Sequence, residues 1–174
     1  MCSSDLAADT TAMAALPAIV VTTGEPAGIG PDISLAIVAR SWPCRLAFAG
    51  DPDVLQDRAK ALGLDVEVTC IAASAPKAHT PGVMQVCPFE VAKPVVPGRL
   101  DSANAPYVLR TLDFAIEGCL AGPYQAMVTA PLQKSVIADT GVAFSGHTEY
   151  LAERTGSERP VMLLVAGDLR VALA

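Results

Sequence analysis

Residues 18–40 read AIVVTTGEPAGIGPDISLAIVAR and predict a strand, a glycine-rich loop and a helix in direct succession. Ala18–Thr23 is a continuous run rich in β-branched residues, which is typical of a strand buried on both faces of a parallel sheet. Gly24–Gly30 follows as a loop. A helix is then predicted over residues 31–40, because the proline that opens it suits the first helical position. The stretch therefore predicts one strand–loop–helix unit.

The same alternation continues along the chain and predicts an α/β fold with a largely parallel sheet. Further strands are predicted at Leu46–Ala49, Val66–Ile71, Val83–Cys87, Ala126–Ala130, Val161–Ala166 and Arg170–Ala174. Helices are predicted between Asp51 and Gly63, over Ala105–Leu120 and Leu132–Asp139, and from the passage at residues 145–148 to Gly156. In the helix over Ala105–Leu120, apolar residues recur at helical spacing, and Leu112 is expected in the core.

Composition excludes several classes of protein. The 174 residues suit a single domain, and 12 Lys and Arg against 18 Asp and Glu give a net charge of −6, which disfavours nucleic acid or an anionic membrane as partner. The longest uncharged runs, Thr10–Gly24 and Gly118–Gln133, are shorter than the roughly 18 residues that a membrane span needs. We therefore predict that the chain has no membrane span.

The cysteines and residues 1–17 indicate the cellular compartment of the protein. Five cysteines lie far apart without a CxxC pair, which favours neither a zinc site nor a disulfide framework and indicates a reducing, cytoplasmic compartment. Residues 1–17 carry two acidic residues and no basic one, unlike a signal peptide. They are predicted to be a disordered extension, with the α/β domain over residues 18–174.

The first candidate site is the loop that carries Gly24, Gly28 and Gly30. Glycines let a backbone approach a ligand closely, and the following helix offers free N–H groups to a phosphate, so the loop is a candidate cofactor-binding element. Its GxxxGxG spacing matches neither GxGxxG nor the Walker A pattern. A tight turn that needs glycine explains the pattern equally well.

The second candidate is the pair His147 and Thr148 in the passage SGHTE, residues 145–149. An imidazole, a hydroxyl and the first N–H groups of a helix together can bind a phosphate. The alternative makes Thr148 an ordinary N-cap and His147 a solvated loop residue. The third candidate is Lys134, after the strand that ends at TAP; it could support an anion or a proton transfer, or simply be solvated.

Four stretches taken in order resemble the 4-hydroxythreonine-4-phosphate dehydrogenase family, also called PdxA. They are VTTGEPAGIGPDISL, VTAPLQKSVI, FSGHTEYLAERTG and VMLLVAGDLRVALA, and the resemblance runs over residues 19–174. It implies a fold similar to that of isocitrate and isopropylmalate dehydrogenases. In such a fold, helices cover both faces of a sheet in three layers, two domains enclose a cleft, and two subunits form a homodimer.

The resemblance also implies an activity. Members of the family oxidise the 3-hydroxyl of 4-phosphohydroxy-L-threonine with NAD or NADP. The product then loses CO2 to give 3-amino-2-oxopropyl phosphate, in pyridoxal 5'-phosphate (vitamin B6) biosynthesis. A divalent metal (zinc, magnesium or cobalt) assists. The family's substrate-binding His-Thr pair falls on His147 and Thr148, and Lys134 matches a lysine of the family motif.

One departure limits these expectations. The family's metal-binding histidines come after the position that corresponds to Ala174, so no metal ligand is expected in this chain. We expect the chain to be an amino-terminal portion, to be inactive alone, and to expose an apolar surface that the remainder would cover. Alternatives are a dehydrogenase of a related phosphorylated sugar acid (4-phospho-threonate or erythronate 4-phosphate), a non-catalytic ligand-binding module, or an acyltransferase of the same fold type.

Overall fold

The computed structural model describes residues 16–72, 76–142 and 144–173. The strands are β1 Ala18–Thr22, β2 Arg45–Gly50, β3 Glu67–Cys70, β4 Val83–Pro88, β5 Ala126–Thr129, β6 Met162–Ala166 and β7 Leu169–Leu173. The α-helices are α1 Gly30–Val38, α2 Pro52–Leu62, α3 Ala105–Ala121, α4 Lys134–Ala138 and α5 His147–Thr155. The predicted strands and helices are therefore confirmed, with ends that differ by one or two residues.

Strands β1 to β5 form one parallel sheet in the order β3-β4-β2-β1-β5. Val20 of β1 lies opposite Ala47 of β2 on one side and Met127 of β5 on the other. An inner parallel strand is covered on both faces, and Val20 and its neighbour Val21 are accordingly both buried. The continuous apolar run at the start of the chain thus forms an inner strand.

Helices cover both faces of this sheet. Helices α1 and α2 lie on one face, where Leu35 and Leu55 pack with Val21 and Phe48. Helix α3 lies on the other face, where Ala115 packs in the same cluster as Val20, Ala47 and Ala49. The three-layer α/β architecture is confirmed.

The helix ends follow local sequence signals. The Asp51 carboxylate accepts the backbone N–H groups of Asp53 and Val54 at 2.9 and 3.2 Å and so caps α2. That helix ends at Gly63, which has a left-handed φ of 66° that favours glycine. Both residues were predicted to bound this helix.

Strands β6 and β7 leave the main sheet and form a separate antiparallel hairpin. Gly167, with φ 58°, and Asp168 reverse the chain in a two-residue turn, so the flanking strands pair with each other. Every residue of the two strands is exposed, including Leu163 at 56% and Val165 at 59%. These two strands therefore form an exposed apolar surface.

The predicted extension at residues 1–17 lies mostly outside the described residues, which begin at Leu16. The carbonyl oxygens of Leu16 and Pro17 accept hydrogen bonds from the side chain and backbone of Arg45, each at 2.8 Å. The structured domain therefore includes these two residues. Among the helices described, none has the length and apolar character needed to cross a membrane.

Candidate active site

Two of the three candidate segments meet at the carboxyl ends of the adjacent strands β1 and β5. They are the glycine loop at residues 24–30 and the loop that leads to Lys134. The loop after β1 leads to α1 on one face of the sheet. The loop after β5 leads to α4, whose Val136 and Ile137 pack with Leu112 of α3 on the opposite face. In open α/β sheets, ligands bind where neighbouring strands send their connections to opposite faces. The candidate loops therefore lie at such a position.

Gly24 lies where the two loops contact each other. The N–H of Glu25 donates to the carbonyl of Pro131 at 3.0 Å. A Cβ atom at Gly24 would lie 2.3 Å from that carbonyl oxygen, and its φ of 70° is itself left-handed. The glycine loop thus supports the loop that leads to Lys134.

The other two glycines of the loop differ from each other. A Cβ atom at Gly30 would lie 2.0 Å from the carbonyl oxygen of Thr23, so the entry into α1 also requires glycine. At Gly28 the nearest atoms belong to Glu25, at an ordinary 3.4 Å. Packing of the chain on itself accounts for Gly24 and Gly30. A cofactor contact at this loop stays a prediction.

Tyr107 of α3 joins the ends of β1 and β2 through its hydroxyl. That oxygen accepts the N–H of Asp51 at 3.1 Å and lies 2.9 Å from Oγ1 of Thr23, which in turn lies 3.2 Å from the carbonyl oxygen of Ala49. The N–H of Asp51 can only donate, so the directions Asp51 to Tyr107 to Thr23 to Ala49 satisfy all four groups. Burial raises the pKa of Tyr107 to about 12, so it stays protonated at neutral pH.

Glu25 is a carboxyl group enclosed in the same edge of the sheet. Glu25 is only 4% exposed, and its Oε1 atom accepts the N–H of Ala27 at 3.2 Å. Burial raises the pKa of this carboxyl, and the bond from Ala27 only partly offsets that effect. Sequence reasoning singled out neither Glu25 nor Tyr107. The sequence signal for Glu25 was that it is the one acidic residue in the loop at residues 24–30. Tyr107 carried no comparable signal.

His147 is the first residue of α5 and lies half-buried beside Phe144, with the ring centroids 6.5 Å apart and the rings edge to face. Its Nε2 atom is buried and has no hydrogen-bond partner among the described residues. Burial lowers the pKa of His147, and the positive charge of Lys134 lowers it further. The imidazole is therefore neutral at neutral pH, and its buried Nε2 atom lacks a hydrogen-bond partner among the described residues.

The alternative interpretation of this passage is wrong on both counts. The N-cap of α5 is Gly146, so Thr148 lies inside the first turn, and His147 is a half-buried helical residue rather than part of a solvated loop. In the part of the chain that the structure describes, no side chain caps this helix. The first N–H groups of a helix lack partners within it and favour an anion.

Lys134 lies next to this helix end. A Cβ atom built at Gly146 would lie 3.1 Å from Nζ of Lys134 and 3.0 Å from Oε2 of Glu149. The structure thus brings Lys134 together with the His147 and Thr148 passage, 13 residues further along the chain. The segment that leads to Lys134 also contacts the glycine loop, because the carbonyl of Pro131 accepts the N–H of Glu25.

An open groove of about 650 Å³ lies elsewhere, between α2 and the connection at residues 90–97. Two of the charged groups that line it, Asp51 and Arg58, already have partners. Asp51 caps α2 and accepts the N–H of Val91 at 2.8 Å, and Arg58 pairs with Asp32 at 2.7 Å. The candidate site is therefore assigned to the amino end of α5 and not to this groove.

A metal ion needs several His, Cys, Asp or Glu side chains close together. Residues 16–72, 76–142 and 144–173 contain no group of three His, Cys, Asp or Glu side chains that could hold one. These residues do not fit a divalent metal, and no chemical step is assigned to one in this chain.

Comparison with known proteins gives a consistent result. A family model described as pyridoxal phosphate biosynthetic protein PdxA matches residues 42–174. The 4-hydroxythreonine-4-phosphate dehydrogenase of Azoarcus sp. (strain BH72) is 49% identical over 162 residues, which are 93% of this chain and 48% of that protein. That of Aromatoleum aromaticum is 52% identical over 162 residues, again 93% and 48%. The chain spans about half the length of these relatives.

Solved structures agree with the sequence relatives. The crystal structure of a 4-hydroxythreonine-4-phosphate dehydrogenase from Burkholderia phymatum is similar with a TM-score of 0.81 at 29% identity, over 90% of this chain and 49% of that one. The corresponding enzyme from Klebsiella pneumoniae gives 0.81 at 30% identity, over 90% and 50%. The fold is the isocitrate and isopropylmalate dehydrogenase-like α/β fold that the resemblance implied.

Proposed function

Because the chain belongs to the PdxA family of pyridoxal phosphate biosynthetic proteins, we propose that it forms the phosphate-binding part of a 4-hydroxythreonine-4-phosphate dehydrogenase. The single observation that carries this proposal is the amino end of α5. There the buried Nε2 of His147 has no hydrogen-bond partner among the described residues, and no described side chain caps the helix. A bound phosphate ester would accept hydrogen bonds from Nε2 of His147 and from the free N–H groups of the helix.

Each group at this helix end has a distinct part in binding the substrate. The neutral imidazole of His147 donates from Nε2 to a phosphate oxygen, provided that its proton is on that nitrogen. The hydroxyl of Thr148 and the first N–H groups of α5 donate to the other oxygens. Binding the phosphate at a fixed point places the substrate's 3-hydroxyl a fixed distance away, and such positioning is a large part of catalysis.

The reaction proposed is oxidation of the 3-hydroxyl of 4-phosphohydroxy-L-threonine, followed by loss of CO2 to give 3-amino-2-oxopropyl phosphate in vitamin B6 biosynthesis. NAD or NADP, when bound, accepts the hydride. The glycine loop is proposed to border the cofactor. We also propose a cytoplasmic homodimer and a divalent metal held by residues other than those described here. No step of the reaction is assigned to that metal.

A pair of matched ligands tests the binding proposal on this chain. Titration calorimetry compares 4-phosphohydroxy-L-threonine with 4-hydroxy-L-threonine, which differs by the phosphate alone. We expect the phosphorylated compound to bind at least about tenfold more tightly, because it alone makes the charge-assisted bonds at α5. Equal affinity for the two compounds would contradict the proposal. Titrating 4-phospho-threonate and erythronate 4-phosphate in the same series ranks the affinities of these related sugar acids.

Activity gives a second test. We expect the 174-residue chain alone to form no NADH from 4-phosphohydroxy-L-threonine, since its described residues hold no metal site and it spans about half the length of its relatives. The measurement is NADH absorbance with NAD or NADP and with zinc, magnesium or cobalt present. Metal-dependent NADH formation by this chain would overturn the expectation.

A further inference from the structure

Helix α5 differs from the other helices described because none of its residues is fully buried. The helices α1 to α4 each bury at least two residues, such as Leu55 and Ala59 of α2 or Val136 and Ile137 of α4. A helix of nine residues is marginal in water by itself, and most helices in proteins are stabilised by a buried apolar face. Polar contacts must therefore contribute more to holding α5 in place than they do for the other four.

These contacts centre on the carboxylate of Asp113 in α3. Its Oδ1 atom accepts the hydroxyl of Tyr150 at 2.6 Å and also the Nη2 group of Arg154 at 2.8 Å. Tyr150 and Arg154 are four residues apart and therefore lie on the same face of α5, one turn from each other. A single oxygen of α3 thus binds two successive turns of α5. We call Asp113, Tyr150 and Arg154 together the latch.

The ring of Tyr150 strengthens this arrangement. It lies beside Phe144, with the ring centroids 5.4 Å apart, and Cζ of Arg154 lies 5.9 Å from its centroid. Burial raises the pKa of Tyr150, and the hydrogen bond to Asp113 raises it further, so the hydroxyl keeps its proton at neutral pH and donates it. All three latch residues therefore have the protonation state and the position that their contacts need.

The latch is also open to water. The side chains of Asp113 and Arg154 are 30% and 40% exposed, so water can replace each partner when the two helices separate. The β6–β7 hairpin that follows α5 is exposed along both strands. Segments with few buried apolar contacts open at a lower free energy than the whole domain does. Separation of α5 therefore needs no unfolding of the sheet.

We propose that the latch is a conformational device: it holds α5 against α3, and when it breaks α5 leaves the three-layer domain and unfolds while the sheet stays intact. The released helix unfolds because nine residues without a partner surface do not sustain helical structure. This inference concerns the packing of α5 and goes beyond the proposed function. It stands whether or not a phosphate binds at the helix.

The test is amide hydrogen exchange of this chain at pH 7, with the amides of α5 compared with those of β1 and β2. Asp113→Ala removes both bonds of the latch, and we expect α5 to exchange about tenfold faster or more, because bonds to a charged group are lost. Tyr150→Phe removes one bond and keeps the ring. Since the site is partly exposed, we expect about threefold faster exchange or more in that variant.

Two controls separate the latch from charge and from additive damage. Glu117→Gln removes a carboxylate of the same helix that is 73% exposed and lies 3.9 Å from Arg154, and it should change the exchange of α5 by no more than about twofold. The double variant of Asp113→Ala and Tyr150→Phe should exchange no faster than Asp113→Ala alone, because the two changes remove the same bond.

Three results would overturn the inference. The first is unchanged exchange of α5 in both Asp113→Ala and Tyr150→Phe. The second is an increase in β1 and β2 as large as that in α5, which would mean that the whole domain is destabilised. The third is an effect of Glu117→Gln equal to that of Asp113→Ala, which would assign the change to net charge. Faster exchange confined to α5 in the two latch variants supports the latch.

Discussion

Glu25 is an acid in surroundings that favour its neutral form. The residue is enclosed at the carboxyl ends of β1 and β5, and the N–H of Ala27 is the donor to its carboxyl oxygen Oε1. Burial raises its pKa above the ordinary 4.5, so the folded chain binds a proton more tightly there than the unfolded chain does. Stability therefore falls as the pH rises from 4.5 through the raised pKa, and stays lower above it.

We predict that Glu25→Gln raises the melting temperature at neutral pH. The amide keeps an oxygen that can accept from Ala27 and removes the buried charge, so the gain should appear above pH 4.5 and vanish below it. The measurement is thermal unfolding of both proteins across this pH range. Glu158→Gln, at an exposed acid, is the control. A loss of stability in Glu25→Gln that is equal at every pH would contradict the raised pKa of this carboxyl.

At the level of single elements, local signals predicted most of the secondary structure. Helical spacing predicted a buried face of α3 made of four residues, of which Val108, Leu112 and Ala115 are buried and Cys119 is partly buried. Asp51 and Gly63 identified both ends of α2, because capping depends on residues within one turn of the helix. These features depend only on residues near one another in the sequence, so the sequence alone predicts them.

Contacts between elements could not be predicted in this way. Tyr107 and Thr23 are 84 residues apart, and their hydroxyls meet only because β1, β2 and α3 are arranged as they are. The proximity of Lys134 to Gly146 likewise depends on how α4 packs against α3. The residues of the candidate site were thus largely predictable from the family motifs, whereas their arrangement required the fold.

Leu112 provides a quantitative test of the α3 face. It is 2% exposed, and Leu112→Ala should lower the free energy of unfolding by about 2–5 kcal/mol, because a cavity is left in the core. Leu120→Ala is the matched control in the same helix. Leu120 is 64% exposed, so its loss should change the stability by no more than about 0.5 kcal/mol. Urea unfolding measures both, and a change of only a few tenths at Leu112 would show that the assigned face is wrong.

On the scale of the whole molecule, the β6–β7 hairpin has a different character from the three-layer domain. Its residues are exposed on both faces, and most of them are apolar. An isolated two-stranded hairpin is marginally stable in water, and large exposed apolar patches mark surfaces that contact other protein. The chain also spans about half the length of its relatives. The hairpin is thus an exposed apolar surface on the described part of the chain.

We therefore predict that the chain self-associates as its concentration rises. Leu163 and Val165 point to the same face of β6, since side chains alternate along a strand. Replacing both with lysine should shift the sedimentation coefficient towards that of a monomer. Leu120→Lys, which changes one exposed apolar residue on α3, should have little effect. A wild-type chain that is monomeric at every concentration would contradict the prediction.

The most direct measurement of the phosphate site is a crystal structure of this chain with 4-phosphohydroxy-L-threonine. The account predicts phosphate oxygens about 3 Å from Nε2 of His147 and from the first N–H groups of α5. A phosphate bound in the groove between α2 and residues 90–97, with His147 still lacking a partner, would contradict it.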